Sequence, residues 1–338
     1  MSTRGKRTAG GKVAVTEATP APVAATPSVE IAVVVCTYNR YDLIGDTLAS
    51  LDQQTLDHSA YEVVVVDNST DLERQKKFWR LSPVIGNCRL ITERIPGLSR
   101  ARNIGMRETQ APIIAYIDDD AVATPEWLET LVSVFADNPD AGAAGGPVDP
   151  VWTYPATEPR WLHPWQQGFL TIIDHGPGRR RLAKNEWLVG TNIAYRRPLL
   201  LEAGGFSESL GRVGSSLLSN EEMAVSRILE ANGYASYYDE RARVMHRVHA
   251  DRVSQAWMRR RVSWQTVSDQ LTGSTAPDDD ALWERIHAYL QELPVQMRGV
   301  RGLLLATQDR DQFQKQCSAI DALMMLLLAS GRDPEERG

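Results

Sequence analysis

The stretch AYIDDDA places Asp118, Asp119 and Asp120 directly after the apolar run PIIAYI. Like charges in a row repel, so a chain that gathers them at the end of a buried segment needs a countercharge there. Asp118 and Asp120, one residue apart, suit a divalent cation. Mg2+ or Mn2+ prefers oxygen ligands and commonly takes one or two carboxylates plus substrate phosphates. The rival reading is helix capping. Thr124 followed by Pro125 already reads as an N-cap and a first helical residue, so the aspartates upstream are not needed for that purpose.

A second acidic group stands about a hundred residues later in SNEE, with Glu221 and Glu222. Ser219 and Glu222 have the spacing of a capping box, in which the acid reaches back to the N-cap amide. His246 and His249 in VMHRVHADR offer a metal ligand or a phosphate contact at a strand end, or pack in the core. Arg259, Arg260 and Arg261 form a basic run. On a helix they point in different directions, so at most two reach one anion. Of nine tryptophans, Trp152, Trp161, Trp165 and Trp187 fall in one stretch. They suit either a sugar-binding wall or core packing, and Trp187, beside a strand, reads as core.

These residues need a scaffold. IAVVVC, YEVVVVD and APIIAYID are continuous apolar runs, as expected of strands buried on both faces. The helical pattern DLIGDTLASLDQQ, the strand RLITER and the short polar helix of SRARNIGMRET lie between them. Strand and helix alternate, which predicts a parallel α/β sheet. Further strands are expected in GAAGGPV, GTNIAYRR and YASYYDERARVMHRV, with helices in PLLLEAGG and SNEEMAVSRILEANG and a mostly helical C-terminal part. The strands end in Thr37, Tyr38 and Asn39, in Asp67 and Asn68, and in Asp118 to Asp120. Ligands of open α/β sheets bind beyond the carboxyl ends of the strands, so these groups converge on one crevice.

Composition sets outer bounds. The chain has 338 residues, a formal charge of −6 and 43% hydrophobic residues. That charge gives no general attraction to nucleic acid. Three cysteines without a CxxC pair fit a reducing compartment. The apolar run ALMMLLLA is shorter than the roughly 20 residues of a membrane span. Residues 1–28, rich in Ala, Thr and Pro, read as a disordered tail without a signal-peptide centre. The expected division is a tail over 1–28, a catalytic domain over 29–270 and a helical extension over 271–338. The expected location is cytoplasmic, with at most peripheral contact at the inner face of a membrane.

In this order, CTYNR, VVVDNS, PGLSRARNIG, YIDDDA, GTNIAYRR and SNEE resemble the motifs of family 2 glycosyltransferases, over about Ile31 to Leu271. The resemblance implies the GT-A fold and an inverting, metal-assisted transfer from a nucleotide sugar, UDP-linked by family expectation. It implies that Thr37, Tyr38, Asn39 and Arg40 line the nucleotide pocket and that Asp67 meets the base. Asp118 is expected at the ribose or the metal, Asp120 as the main metal ligand, and Asp119 at a variable position. Arg102 and Asn103 are expected near the donor. Glu222, or else Glu221, is the expected catalytic base, although the family more often has Asp there. His246 is favoured over His249 as a third ligand. The acceptor is left open among a glycan, a lipid-linked sugar, a peptide and a small molecule. The alternatives are a sugar-phosphate nucleotidyltransferase, which needs a Gly-rich basic loop not found after the first strand, and a non-catalytic nucleotide-sugar-binding module. A dehydrogenase is not expected, because no GxGxxG opens the first helix.

Overall fold

The computed structural model describes residues 29–81, 86–153, 157–212, 216–273 and 278–330. The tail expected over 1–28 lies outside the described residues, as do 331–338 and the whole STAP stretch, 274–277. In chain order the elements are β1 (Ile31–Thr37), α1 (Ile44–Asp52), β2 (Tyr61–Asp67), α2 (Leu72–Leu81), β3 (Cys88–Thr92) and α3 (Leu98–Arg107). Next come β4 (Ile113–Asp118), β5 (Ala121–Ala123), α4 (Trp127–Asp137), β6 (Ala141–Gly145), β7 (Val148–Trp152), α5 (Pro164–Gln167) and β8 (Arg179–Arg181). Then follow β9 (Asn192–Arg196), α6 (Arg197–Glu202), α7 (Glu221–Ala231), β10 (Ala235–Asp239) and β11 (Val244–Val248). The chain closes with α8 (Gln255–Leu271), α9 (Asp279–Glu292) and α10 (Arg310–Ser330).

The valine runs form the centre because they can be buried on both sides. Side chains alternate across a strand. Val33, Val35, Val63 and Val65 therefore enter one core with α1 and α4, through Ile44, Leu48, Leu51, Trp127 and Leu131. Val34, Val64 and Val66 enter the other, with Ala101 of α3, Leu199 and Leu200 of α6, and Val225 and Leu229 of α7. Each such valine, fully withdrawn from water, contributes roughly 1.5–3 kcal/mol.

The main sheet has eight strands in the order β3-β2-β1-β4-β9-β6-β10-β8. The pairs among β3, β2, β1 and β4 are parallel, as is β6 with β10. β9 runs antiparallel between β4 and β6, and β8 antiparallel to β10. The expected α/β sheet is thus mostly parallel, with two reversed strands. A second sheet of three short strands, β5-β11-β7, stands beside it. The α8 helix, N-capped by Ser254, packs against α10, and Trp161, Trp257, Val262 and Phe313 share one apolar cluster there. All three cysteines are free thiols.

Three local expectations are corrected. The helix after the aspartates starts at Trp127, and Thr124 makes no side-chain cap, because a turn separates it from the helix, whose N-cap is Glu126. The capping box at SNEE does not form: Asn220, at φ 81°, is the N-cap, and the Ser219 hydroxyl bonds to Gln265 instead. Tertiary partners have outcompeted the local pattern. Trp187 is not core but 41% exposed, because it faces a cavity. No described helix is long and apolar enough to cross a membrane.

Candidate active site

The acidic turn sits at the joint between the two sheets. Asp118 is the last residue of β4, Asp119 and Asp120 form the turn, and β5 begins at Ala121. β5 pairs with β11 so that Ala121 faces His246, which brings that imidazole to Asp120. His246 Nε2 lies 3.3 Å from Asp120 Oδ1, while Nδ1 is 2.9 Å from the Thr171 hydroxyl. One oxygen each from Asp118 and Asp120 and one nitrogen of His246 lie within 4.8 Å of one another. Asp120 Oδ1 is buried and accepts no hydrogen bond. An orphaned carboxylate oxygen beside a second carboxylate and an imidazole fits a divalent cation.

The other Asp120 oxygen receives His249 Nε2 at 3.0 Å and the Arg40 guanidinium. Burial opposes ionisation of Asp120, but the adjoining imidazoles of His246 and His249 and the Arg40 charge outweigh it and hold the carboxyl well below its usual range. Asp119 turns away to accept the Thr37 hydroxyl at 2.6 Å. Burial and the neighbouring Asp120 charge push it up to about 7. Asp118 is the most open of the three and accepts the Thr191 hydroxyl at 2.6 Å.

Two cavities meet at Asp118. The first, about 380 Å³, is lined by Thr37, Tyr38, Arg40, Asn68 and Asp119 from the sheet, and by Trp257 and Arg260 from α8. Asn39 adopts φ 59°, and its amide donates to the Ser69 hydroxyl, tying the ends of β1 and β2 together. Asp67 is fully buried and off the cavity wall. Its oxygens accept Trp79 Nε1 at 2.6 Å and the Tyr41 hydroxyl at 2.9 Å. Asn68 clamps the Pro-Gly turn, accepting from the Gly97 amide and donating to the Ile95 carbonyl.

The second cavity, about 220 Å³, holds Glu221 and Glu222 on one side and Trp165, Phe169 and Trp187 on another. Arg102 Nη1 donates to Glu221 at 3.0 Å and to Glu222 at 2.8 Å. The backbone at Gly190 passes so close that a Cβ there would lie 2.0 Å from Glu222 Oε1. Burial first, then the Glu222 charge, raises the Glu221 carboxyl to about 7 against the opposing pull of Arg102. Asn103, expected near the donor, instead makes paired bonds to the Phe206 backbone. The basic run divides as its helical spacing requires: Arg260 lines the first cavity, Arg261 the second, and Arg259 turns inward to Gln316 and Phe313.

Residues 32–203 match the family described as glycosyl transferase family 2. A glucosyl-dolichyl phosphate glucuronosyltransferase of Haloferax volcanii is 32% identical over 78% of this chain and 83% of its own length. This chain belongs to glycosyl transferase family 2. A validoxylamine A glucosyltransferase of Streptomyces hygroscopicus subsp. limoneus is 32% identical over 35% of this chain and 26% of its own. Among solved structures, a mannosyltransferase from Pyrobaculum calidifontis, in complex with GDP-Man and Mn2+, superposes with a TM-score of 0.58 at 20% identity. It covers 92% of this chain and 91% of its own. That likeness supports the GT-A fold.

Sequence reasoning missed three wall residues of this family 2 glycosyltransferase. Arg212 and Arg252 line both cavities. Thr191 lies within the quoted GTN motif, but only its bond to Asp118 gives it a place in the site. Arg212 carries no local signal at all, since nothing in GRVGSS marks it as anion-facing.

Proposed function

We propose that this glycosyltransferase moves a sugar from a nucleoside diphosphate donor, UDP-linked by expectation, to an acceptor hydroxyl with inversion at the anomeric carbon. The observation that carries the reading is the pairing of a cation-competent cluster, Asp118, Asp120 and His246, with a separate acid pair across the same crevice. Mn2+ or Mg2+ bound there supplies positive charge to the departing diphosphate. The first cavity takes the nucleotide, with Thr37, Tyr38 and Arg40 on its wall. Asp67, held away from the wall, positions Tyr41 and Ser69 rather than touching the base.

Glu222 is the base. Arg102 occupies only Oε1, which leaves Oε2 with no protein partner among the described residues to take the acceptor proton. Glu221 lies deeper, with its carboxyl bonded to the same Arg102. A hydroxyl activated by Glu222 attacks from the side opposite the leaving diphosphate, and one displacement gives inversion.

The acceptor class is a glycan or a lipid-linked sugar, as the Haloferax relative's name suggests for that enzyme. A lipid-linked acceptor needs a membrane-facing surface. The segment over 295–305 supplies one, at the cytoplasmic side, with Val295 at 77%, Val300 at 76% and Leu304 at 63% exposure. Arg298 and Arg301 stand among them with no ion-pair carboxylate among the described residues.

The test is nucleotide-sugar binding by calorimetry with and without Mn2+, in the wild type and in Asp120→Asn. Binding that strengthens with Mn2+ in the wild type alone supports the reading. Equal metal dependence in both proteins would remove Asp120 from it.

A further inference from the structure

The second cavity holds a buried positive charge, Arg261, that does not line the nucleotide cavity. Arg261 is 6% exposed. Its Nη2 donates to the Ser219 hydroxyl at 3.1 Å and to Gln265 at 2.9 Å, but buried Nε and Nη1 have no partner. Ser219 stands just before the Glu221–Glu222 pair, so this anchored guanidinium is held beside the base. Arg212 and Arg252 line the same cavity, and neither guanidinium has an ion-pair or hydrogen-bond partner among the described residues. Burial lowers Arg252 and Arg261 to about 10 each, and the Arg212 charge adds to it. Unpaired donors in such a site are costly, and an anion would satisfy them with charge-assisted hydrogen bonds.

We propose that the acceptor is a glycosyl phosphate, its phosphate held by Arg261 with Arg212 and Arg252 while its hydroxyl faces Glu222. This rests on the assignment of Glu222 as base and names the acceptor of that site. The division of the arginines places this anion on the acceptor. Arg40 and Arg260 line only the nucleotide cavity and Arg261 only the cavity of Glu222, while Arg212 and Arg252 stand where the two cavities meet, so Arg261 is the residue that assigns the anion. Trp165 and Trp187 lie on the wall of that cavity, where an indole ring can stack on the apolar face of a pyranose. A carbohydrate that carries both a hydroxyl and a phosphate matches a cavity whose wall carries both carboxylates and guanidiniums.

The experiment measures binding alone, so it stays readable if transfer fails. Calorimetry would use the full chain preloaded with UDP and Mn2+, titrated with glucose 1-phosphate, methyl glucoside or prenyl-phosphate-linked glucose in detergent. The wild type should bind both phosphates about 10- to 100-fold more tightly than the neutral glycoside, the range of a hydrogen bond to a charged group. Arg261→Gln should erase that preference and Arg261→Lys restore part of it. Arg212→Gln, which breaks no observed side-chain bond, should weaken it without loss of fold. Tighter binding of the prenyl compound would identify a lipid-linked source, and equal binding a soluble one. Equal affinity for phosphate and neutral glycoside in the wild type would overturn the proposal. So would a loss of UDP binding in Arg261→Gln with glucose 1-phosphate affinity intact, which would give the anion site to the donor. Failure of UDP and Mn2+ to bind the wild type at all would instead count against the donor reading.

Discussion

Arg40 lays its guanidinium on the Asp120 carboxylate, reaching from the turn after β1 to the turn after β4, and lies 3.4 Å from Asp119 as well. The pair supplies part of the countercharge that three adjacent aspartates need in the absence of a cation. Arg40→Gln should therefore cost roughly 1 kcal/mol, well under the 3–5 kcal/mol of a fully buried pair, because solvent reaches the guanidinium. Mn2+ should raise the melting temperature of the variant more than that of the wild type. Thermal unfolding with and without Mn2+ checks it, and equal shifts in both proteins would refute it.

Glu222→Gln separates chemistry from stability. The capping box that would have made Glu222 structural is not formed. Gln keeps the shape and a bond to Arg102 is replaced at most weakly, so the fold should hold. Loss of a positioned base should lower kcat by about 10²- to 10⁴-fold. Transfer rate, donor affinity and melting temperature on one preparation decide it; near-normal transfer would pass the role to Glu221.

Glu221 makes stability depend on pH. Its carboxyl is raised in the folded chain to about 7 from an ordinary 4.5. The folded state thus holds a proton that the unfolded state releases. Its contribution is fully present below the unfolded value and is lost as pH rises through the folded one. Glu221→Gln should reduce the fall in unfolding free energy across that window. Asp119, shifted the same way, keeps some slope in the variant. Denaturant titrations at a series of pH values check this, and an unchanged slope would discard it.

The 295–305 segment predicts vesicle binding. Sedimentation with phosphatidylglycerol vesicles should retain the wild type more than phosphatidylcholine vesicles do. Val300→Asp with Leu304→Asp should lower retention by roughly tenfold or more, the scale of losing two buried apolar side chains. Both sites are exposed, so the melting temperature should not move. Retention unchanged by the double substitution would exclude this surface.

Much of the fold was legible because β1, β2 and β4 are buried on both faces and so read as unbroken apolar runs. Two of the three strands of the small sheet were not legible. β5 has three residues, and β7 carries Pro150, so neither shows a period. Their partners lie in β11, far along the chain. The acidic turn could be read as a site from residue type, and the family resemblance favoured His246 beside it; the closeness of His246 to Asp120 rests on the Ala121–His246 register. At SNEE the local pattern misled, because Ser219 is satisfied by Gln265 and Glu222 by Arg102, contacts that only the tertiary structure makes. Asn103 and Asp67 have residue types suited to a binding site, yet their hydrogen bonds are spent on the scaffold.

Gly190 turns the Arg102–Glu222 contact into something a single letter can report. A Cβ at that position would stand 2.0 Å from Glu222 Oε1 and 2.1 Å from Arg102 Nη2, separations no real side chain tolerates. A side chain acquired there must displace the carboxylate end of Glu222, the guanidinium of Arg102 or both, and each of these is the end of a flexible side chain. Position 190 thus couples the backbone to the chemistry: a side chain there would re-aim the acid pair without altering either glutamate in the sequence.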